Sequence, residues 1–113
     1  EKQMIQDFIA QSSADIRALR LMALHTAWLW DTQGASKTRL EIAELKFWGA
    51  KVLHDVIDRA IQVHGAIGWT MDLPLARMYV LARQMRIAFA NIDAAGIAEL
   101  FRRLAALGPA GRA

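Results

Sequence analysis

Between about Lys2 and Thr32 the apolar residues recur at steps of three and four: Ile5, Phe8/Ile9, Ile16, Leu19, Met22/Ala23 and Leu29/Trp30. That spacing gathers them on one broad helix face, with Asp7, Gln11, Asp15 and Arg17 mostly elsewhere. Gly34 ends the segment and Ala35-Ser36 form a connection, with Ser36 the expected N-cap of the next helix. That second helix is predicted from about Lys37 to His64. Its polar side carries Glu41, Glu44, Lys51, Asp55, Asp58 and Arg59, and its apolar side Ala43, Phe47, Ala50, Leu53, Ile57, Ala60 and Ile61. Two runs of roughly thirty residues, each about 45 Å long at the helical rise, joined by so short a loop should lie antiparallel. A third helix is predicted from about Leu75 to Ile87 or Phe89, with Asp72 as N-cap and Pro74 in its first turn. Asn91-Ile92-Asp93 interrupts the pattern and caps an expected fourth helix reaching about Leu107, after which the tail 108–113 should fray. No stretch alternates with the period of a strand and none repeats. The chain therefore reads as all-α, an antiparallel up-and-down four-helix bundle forming a single domain over residues 1–113.

One stretch departs from bundle patterning: AIQVHGAIGWTMDLPLARMY, from Ala60 to Tyr79. A helical run closes in Gln62-Val63-His64-Gly65, and Gly65 and Gly68 stand three apart before Trp69 and Met71 lead into Asp72-Leu73-Pro74. Gly-x-x-Gly at this place admits two readings. It can be a helix C-cap and nothing more, or a corner where a second molecule comes close to the main chain. Spacing alone favours the first, because the pattern is weak.

Composition narrows the function classes. With 55% hydrophobic and 22% charged residues the chain is that of a folded protein, and 113 residues bury a core of modest size. The absence of cysteine removes disulfides, thiolate metal sites and a cysteine nucleophile, while leaving the compartment open. The longest apolar run, around 21–30, is about ten residues short of a membrane span, and no signal-peptide pattern opens the chain. It begins without methionine and already inside a helical pattern, so it is expected to be a piece of a longer protein. The net charge is +3. Arg17/Arg20, Lys37/Arg39, Arg83/Arg86 and Arg102/Arg103 are nonetheless dispersed with acids between them, which suits a solvated surface better than a nucleic-acid interface.

Candidate chemistry is sparse. His25, His54 and His64 have no glutamate three residues before them, and Glu41 and Glu44 lead to no histidine at a ligating offset, so no metal site is expected. Ser12, Ser13 and Ser36 occupy helical or capping positions without the strained turn that exposes a nucleophile. Trp28, Trp30 and Trp48 fit helix surfaces that pack or meet a partner. Trp69 differs in coming directly after the glycine turn.

Taken as a block, AIQVHGAIGWTMDLPLARMYVLARQMRIA resembles the C-terminal helical domain of the acyl-CoA dehydrogenase family. The shared pattern is Gln, two intervening residues, a pair of glycine positions, Gly-aromatic, acidic-x-Pro, then an arginine-bearing helix. Glu1-Lys2-Gln3, Ala27-Trp28-Leu29 and Asp58-Arg59-Ala60 match in place as well, so the likeness covers nearly the whole chain and is most specific from Asp58 to Arg86. The resemblance implies a four-helix bundle forming the last third of a larger flavoprotein that removes hydrogen across the α,β bond of an acyl-CoA thioester. An N-terminal helical domain and a middle β-domain would complete the FAD and acyl-CoA sites. Subunits would form homodimers or homotetramers, in the cytoplasm or, in a eukaryote, the mitochondrial matrix.

Carried over by position, Gln62 would hydrogen-bond the ADP portion of a neighbouring subunit's FAD. Gly65 and Ala66 would let main-chain N–H groups approach the pyrophosphate or ribose, as suits amides beside a helix end. Gln3 would add a contact near the start of the first helix, and Asn91 stands where the family's threonine touches FAD. Ala66 replaces a second glycine and takes up some room. A larger departure is Phe89, which occupies the usual position of the catalytic carboxylate. A phenyl ring accepts no proton, so no catalytic residue is carried by this chain; Asp93 as a displaced base has no support in the pattern. The base could lie upstream on another helix. The protein could instead resemble the family's flavin monooxygenases or oxidases, or have lost the chemistry and kept the bundle as an oligomerisation scaffold.

Overall fold

The computed structural model describes residues 2–89 together with Ala98, Arg102, Arg103 and Ala106. Three α-helices succeed one another: α1 (Lys2–Gln33), α2 (Arg39–His64) and α3 (Leu75–Phe89), with a 3-10 turn, Gly65–Trp69, between the last two. Among the described residues there is no strand, so the all-α reading holds. The predicted fourth helix lies largely outside the described residues, as do Asn91, Asp93 and the tail.

α2 is the central element. It packs against α1, α3 and the 3-10 turn, whereas α1 and α3 do not meet. Arg59 reaches Ser12 and Asp15 while Gly49 faces Leu19, so α1 and α2 run antiparallel. His54 meets Tyr79 and Phe47 shares a cleft with Ile87, which sets α3 antiparallel to α2 in the same way.

Two neighbours change which positions of α2 are buried. Ala50 and Ile57 are buried as the periodicity predicts, but so is Val52, which is 3% exposed and lies about 200° round the helix from Ala50. Val52 shares the side of Gly49 and Arg59, which touch α1. Ala50 and Ile57 share the side of His54 and Ile61, which touch α3 and the turn. Leu53 and Phe47, both expected on the apolar face, fall at the edges and are 38% and 45% exposed.

On α1 most of the expected face turns inward, with Ile5, Phe8, Leu19, Met22, Ala23 and Leu29 only partly exposed, but three of its members do not. Ile9, Ile16 and Trp30 are exposed, and Asp15 turns inward, its carboxylate accepting from the Arg59 guanidinium at 3.0 Å. Arg59 also donates to the Ser12 hydroxyl at 3.2 Å. The polar residues Ser12 and Asp15 thus occupy the seam because a partner across it satisfies them. The apolar stripe beside them is left outside. Thr26 is buried by the same logic, its hydroxyl donating to the Met22 carbonyl at 2.8 Å.

The connections also correct two capping expectations. α2 starts at Arg39, with Thr38 rather than Ser36 in the cap position. The Thr38 hydroxyl turns back to donate to the Gly34 carbonyl at 2.9 Å, which closes the end of α1, and Thr38 is 1% exposed. At α3 the Pro74 carbonyl accepts the first helical bond, from Met78 N–H at 3.0 Å. Asp72 lies two residues farther out, its carboxylate taken by the Thr70 hydroxyl at 3.1 Å. A threonine two residues before the aspartate competes for the carboxylate that would otherwise cap the helix.

Arg103 reaches the start of α2, pairing with Glu41 and donating to the Lys37 carbonyl at 3.4 Å. Farther along, Lys51 pairs with Asp55 at 2.5 Å. Burial pushes both carboxyls up, and in both it is outweighed. The Arg103 hydrogen bond and charge, with a smaller contribution from His25, hold Glu41 below the ordinary carboxylate value. Lys51, and then His54, do so for Asp55. A carboxyl depressed in the folded state contributes stability above its unfolded pKa, about 4, and loses it as pH falls through the folded value. The thermal midpoint should therefore drop as pH is lowered from about 6 toward 3, and Glu41→Gln with Asp55→Asn should lower it at pH 6 and flatten the drop. Parallel midpoint profiles for parent and double variant would contradict this assignment.

Candidate functional site

The corner between α2 and α3 is built from the last turn of α2 outward. Gly65 N–H donates to the Ile61 and Gln62 carbonyls, and His64 Nδ1 hydrogen-bonds the Ala60 carbonyl at 2.8 Å, so the helix end is satisfied locally. Gly65 does this at φ 64° and ψ −143°, a backbone conformation that side chains with a β-carbon avoid. The adjoining 3-10 turn is closed by Thr70, whose N–H donates to the Ile67 carbonyl at 3.2 Å and whose single hydroxyl proton is shared between that carbonyl at 2.9 Å and the Asp72 carboxylate.

The two glycines do different work. Gly68 is buried against α2: a β-carbon there would stand 2.9 Å from the Ile61 carbonyl oxygen and 3.1 Å from Ile61 Cα and His64 Cβ. This glycine lets the turn fold back onto the helix it has just left. At Gly65 nothing lies within 4 Å of the same built atom. The turn is steadied from the other side by aromatic contacts, Trp69 edge-on to Tyr79 at 5.8 Å and Tyr79 against His54 at 4.8 Å.

The result is an exposed main-chain corner without side-chain cover, flanked by Gln62, His64, Ala66 and Ile67, all exposed. No non-glycine residue among those described has positive φ, so alanine at position 66 brings its β-carbon but no backbone strain. A β-carbon at Gly65 would occupy the open space above the main chain, while the Gly65 N–H itself is already taken by the Ile61 and Gln62 carbonyls. Gln3 is exposed in the first turn of α1. Antiparallel packing brings that turn to the same end of the molecule as the corner, since Phe8 and Ile9 line one groove with Val63 and His64. Phe89 closes α3 at the other end, two residues beyond Ile87, which shares a cleft with Phe47, and is 38% exposed. Phe47 is about 20 Å from Gln62 along α2. The expected site residues therefore fall in two places: Gln3, Gln62, Gly65 and Ala66 at one end, Phe89 at the other, with Asn91 outside the described residues.

Among the described residues no group of three or more His, Asp or Glu could hold a metal ion, and no helix is long and apolar enough to cross a membrane. Trp28 and Trp30, read from the sequence as core or interface positions, are 58% and 50% exposed and so lie outside the core. The packing role of Gly68 and the Trp69–Tyr79–His54 contacts had no signal in the spacing, since each depends on where α3 returns.

The profile of the acyl-CoA dehydrogenase C-terminal domain matches residues 1–90. The probable acyl-CoA dehydrogenase FadE2 of Mycobacterium tuberculosis is 46% identical over 87 residues, covering 77% of this chain and 21% of that protein. Acyl-CoA dehydrogenase family member 11 of Rattus norvegicus is 41% identical over 88 residues, 78% of this chain and 11% of the relative. The (R)-benzylsuccinyl-CoA dehydrogenase of Thauera aromatica is 40% identical over 87 residues, 77% and 20% of the two chains. No solved structure matches with significance. The chain thus spans between 11% and 21% of the length of these relatives.

Proposed function

The chain belongs to the acyl-CoA dehydrogenase family, matching its C-terminal domain, and from that premise we propose that it is the helical-bundle domain of an FAD-dependent oxidoreductase acting on an acyl-CoA thioester. It is a single four-helix domain of a longer flavoprotein. Gln62 hydrogen-bonds the ADP portion of FAD, and Gly65 and Ala66 admit the pyrophosphate or ribose to the main chain. Gln3 and Asn91 add contacts. Bound FAD supplies the hydride acceptor of the reaction. The observation that carries this reading is Gly65, in a conformation reserved for glycine, open to solvent and beside the exposed Gln62.

Phe89 takes no proton, so the general base is contributed from outside this chain. The relatives named for FadE2, family member 11 and benzylsuccinyl-CoA all bear dehydrogenase names, and nothing in the fold favours the monooxygenase-like or inactive scaffold. The exposed apolar stripe of α1, with Ile9, Ile16, Leu24 and Trp28, supports an assembled protein, as a homodimer or homotetramer. A cytoplasmic location, or the mitochondrial matrix in a eukaryote, goes with this reading.

The full-length protein is expected to purify yellow, with an oxidised-flavin spectrum that bleaches when an acyl-CoA is added without oxygen. Colourless protein that takes up no added FAD would sink the proposal. Flavin that stays oxidised with every acyl-CoA tried would leave the scaffold reading in its place.

A further inference from the structure

Away from the glycine corner, α2 and α3 enclose a cleft of about 380 Å³ lined by Phe47, Lys51, Arg83, Arg86 and Ile87. Three of its five lining side chains are cations. Arg83 and Arg86 stand three apart on α3, where like charges one turn from each other repel. Lys51 comes across from α2 and is held by Asp55 at 2.5 Å, 5.2 Å from the Trp48 ring. The nearest polar partner of Arg86 is an imidazole nitrogen, His54 Nδ1 at 3.5 Å, which also lies 3.6 Å from Asp55. Among the described residues neither Arg83 nor Arg86 is paired with a carboxylate. Of the three cations, only Lys51 is paired with a carboxylate among the described residues.

Two guanidinium groups on one helix turn match a phosphate, which accepts from each fork and relieves their repulsion. A lone phosphate would fill little of the space, because sites of this volume take small organic molecules. Phe47, 45% exposed, and Ile87 supply an apolar wall for the remainder. We propose that this cleft binds a phosphomonoester carried on a small aromatic or apolar group. It stands independently of the flavin reading, since it uses none of the residues of the glycine corner.

The test is calorimetric titration of the full-length protein at fixed ionic strength with phenyl phosphate, AMP and inorganic phosphate, and with phenol and adenosine as uncharged counterparts. Saturable binding of a phosphomonoester is expected, with inorganic phosphate weaker by about tenfold and the uncharged compounds silent. Preference for AMP over phenyl phosphate identifies a nucleotide source, and the reverse a non-nucleotide one. Arg83→Gln with Arg86→Gln should weaken the binding by about tenfold or more, while Arg83→Lys with Arg86→Lys retains part of it. Both positions are exposed, so the thermal midpoint should not move. No saturable binding, or equal affinity in parent and glutamine variant, overturns the proposal; the second result would assign the phosphate to another site of the protein.

Discussion

Valine at position 65 should strip the flavin from the full-length protein. The parent places Gly65 at φ 64° and ψ −143°, and holding any other residue there costs about 1–3 kcal/mol. A branched side chain would also fill the space that is open above the main chain. Strain and blockage act in the same direction, so FAD affinity should fall by roughly tenfold or more, read as the flavin-to-protein ratio after gel filtration. Strain alone can be separated from blockage with Gly34→Val. Gly34 has φ 82° and equally open surroundings, but it lies in the α1–α2 loop, at the other end of α2. That variant should lower the thermal midpoint and keep its flavin. If Gly34→Val and Gly65→Val lose flavin alike, the corner has no special part in binding it.

The second large effect is expected at Gly68, and it is one of stability first. Alanine there would put its β-carbon 2.9 Å from a backbone oxygen and 3.1 Å from a backbone carbon of Ile61. Neither atom can swing away as the tip of a flexible side chain would. The 3-10 turn must therefore lift off α2, at a cost of about 1–3 kcal/mol, and carry Trp69 away from Tyr79. The thermal midpoint of Gly68→Ala should fall whether or not FAD is present, accompanied by a change in tryptophan fluorescence. An unchanged midpoint would mean that the turn is held elsewhere than at the Ile61 contact.

Much of this was legible in one sequence. The ends of α1 and α3 fall within a residue or two of those read from apolar spacing, and the corner at Gly65 marked itself by its glycines. The family likeness, which covers nearly the whole chain and is most specific from Asp58 to Arg86, agrees with the match over residues 1–90. The candidate site was legible only as a set of positions. Gly65 and Gly68 look alike in sequence, yet one is open and the other is wedged against Ile61. Lys51, Arg83 and Arg86 read as scattered surface charge until α3 lay back against α2.

The sequence by itself determined where helices form and stop, because a 3.6-residue period, glycines and prolines act on their own neighbourhood. Only the tertiary structure decided what each helix face is for. Val52 is buried because α1 arrives on the opposite side of α2 from α3, and Ser12 and Asp15 face inward because Arg59 meets them there. The Arg59 contacts join residues 44 and 47 positions apart, and no local pattern encodes which distant side chain will stand across the seam.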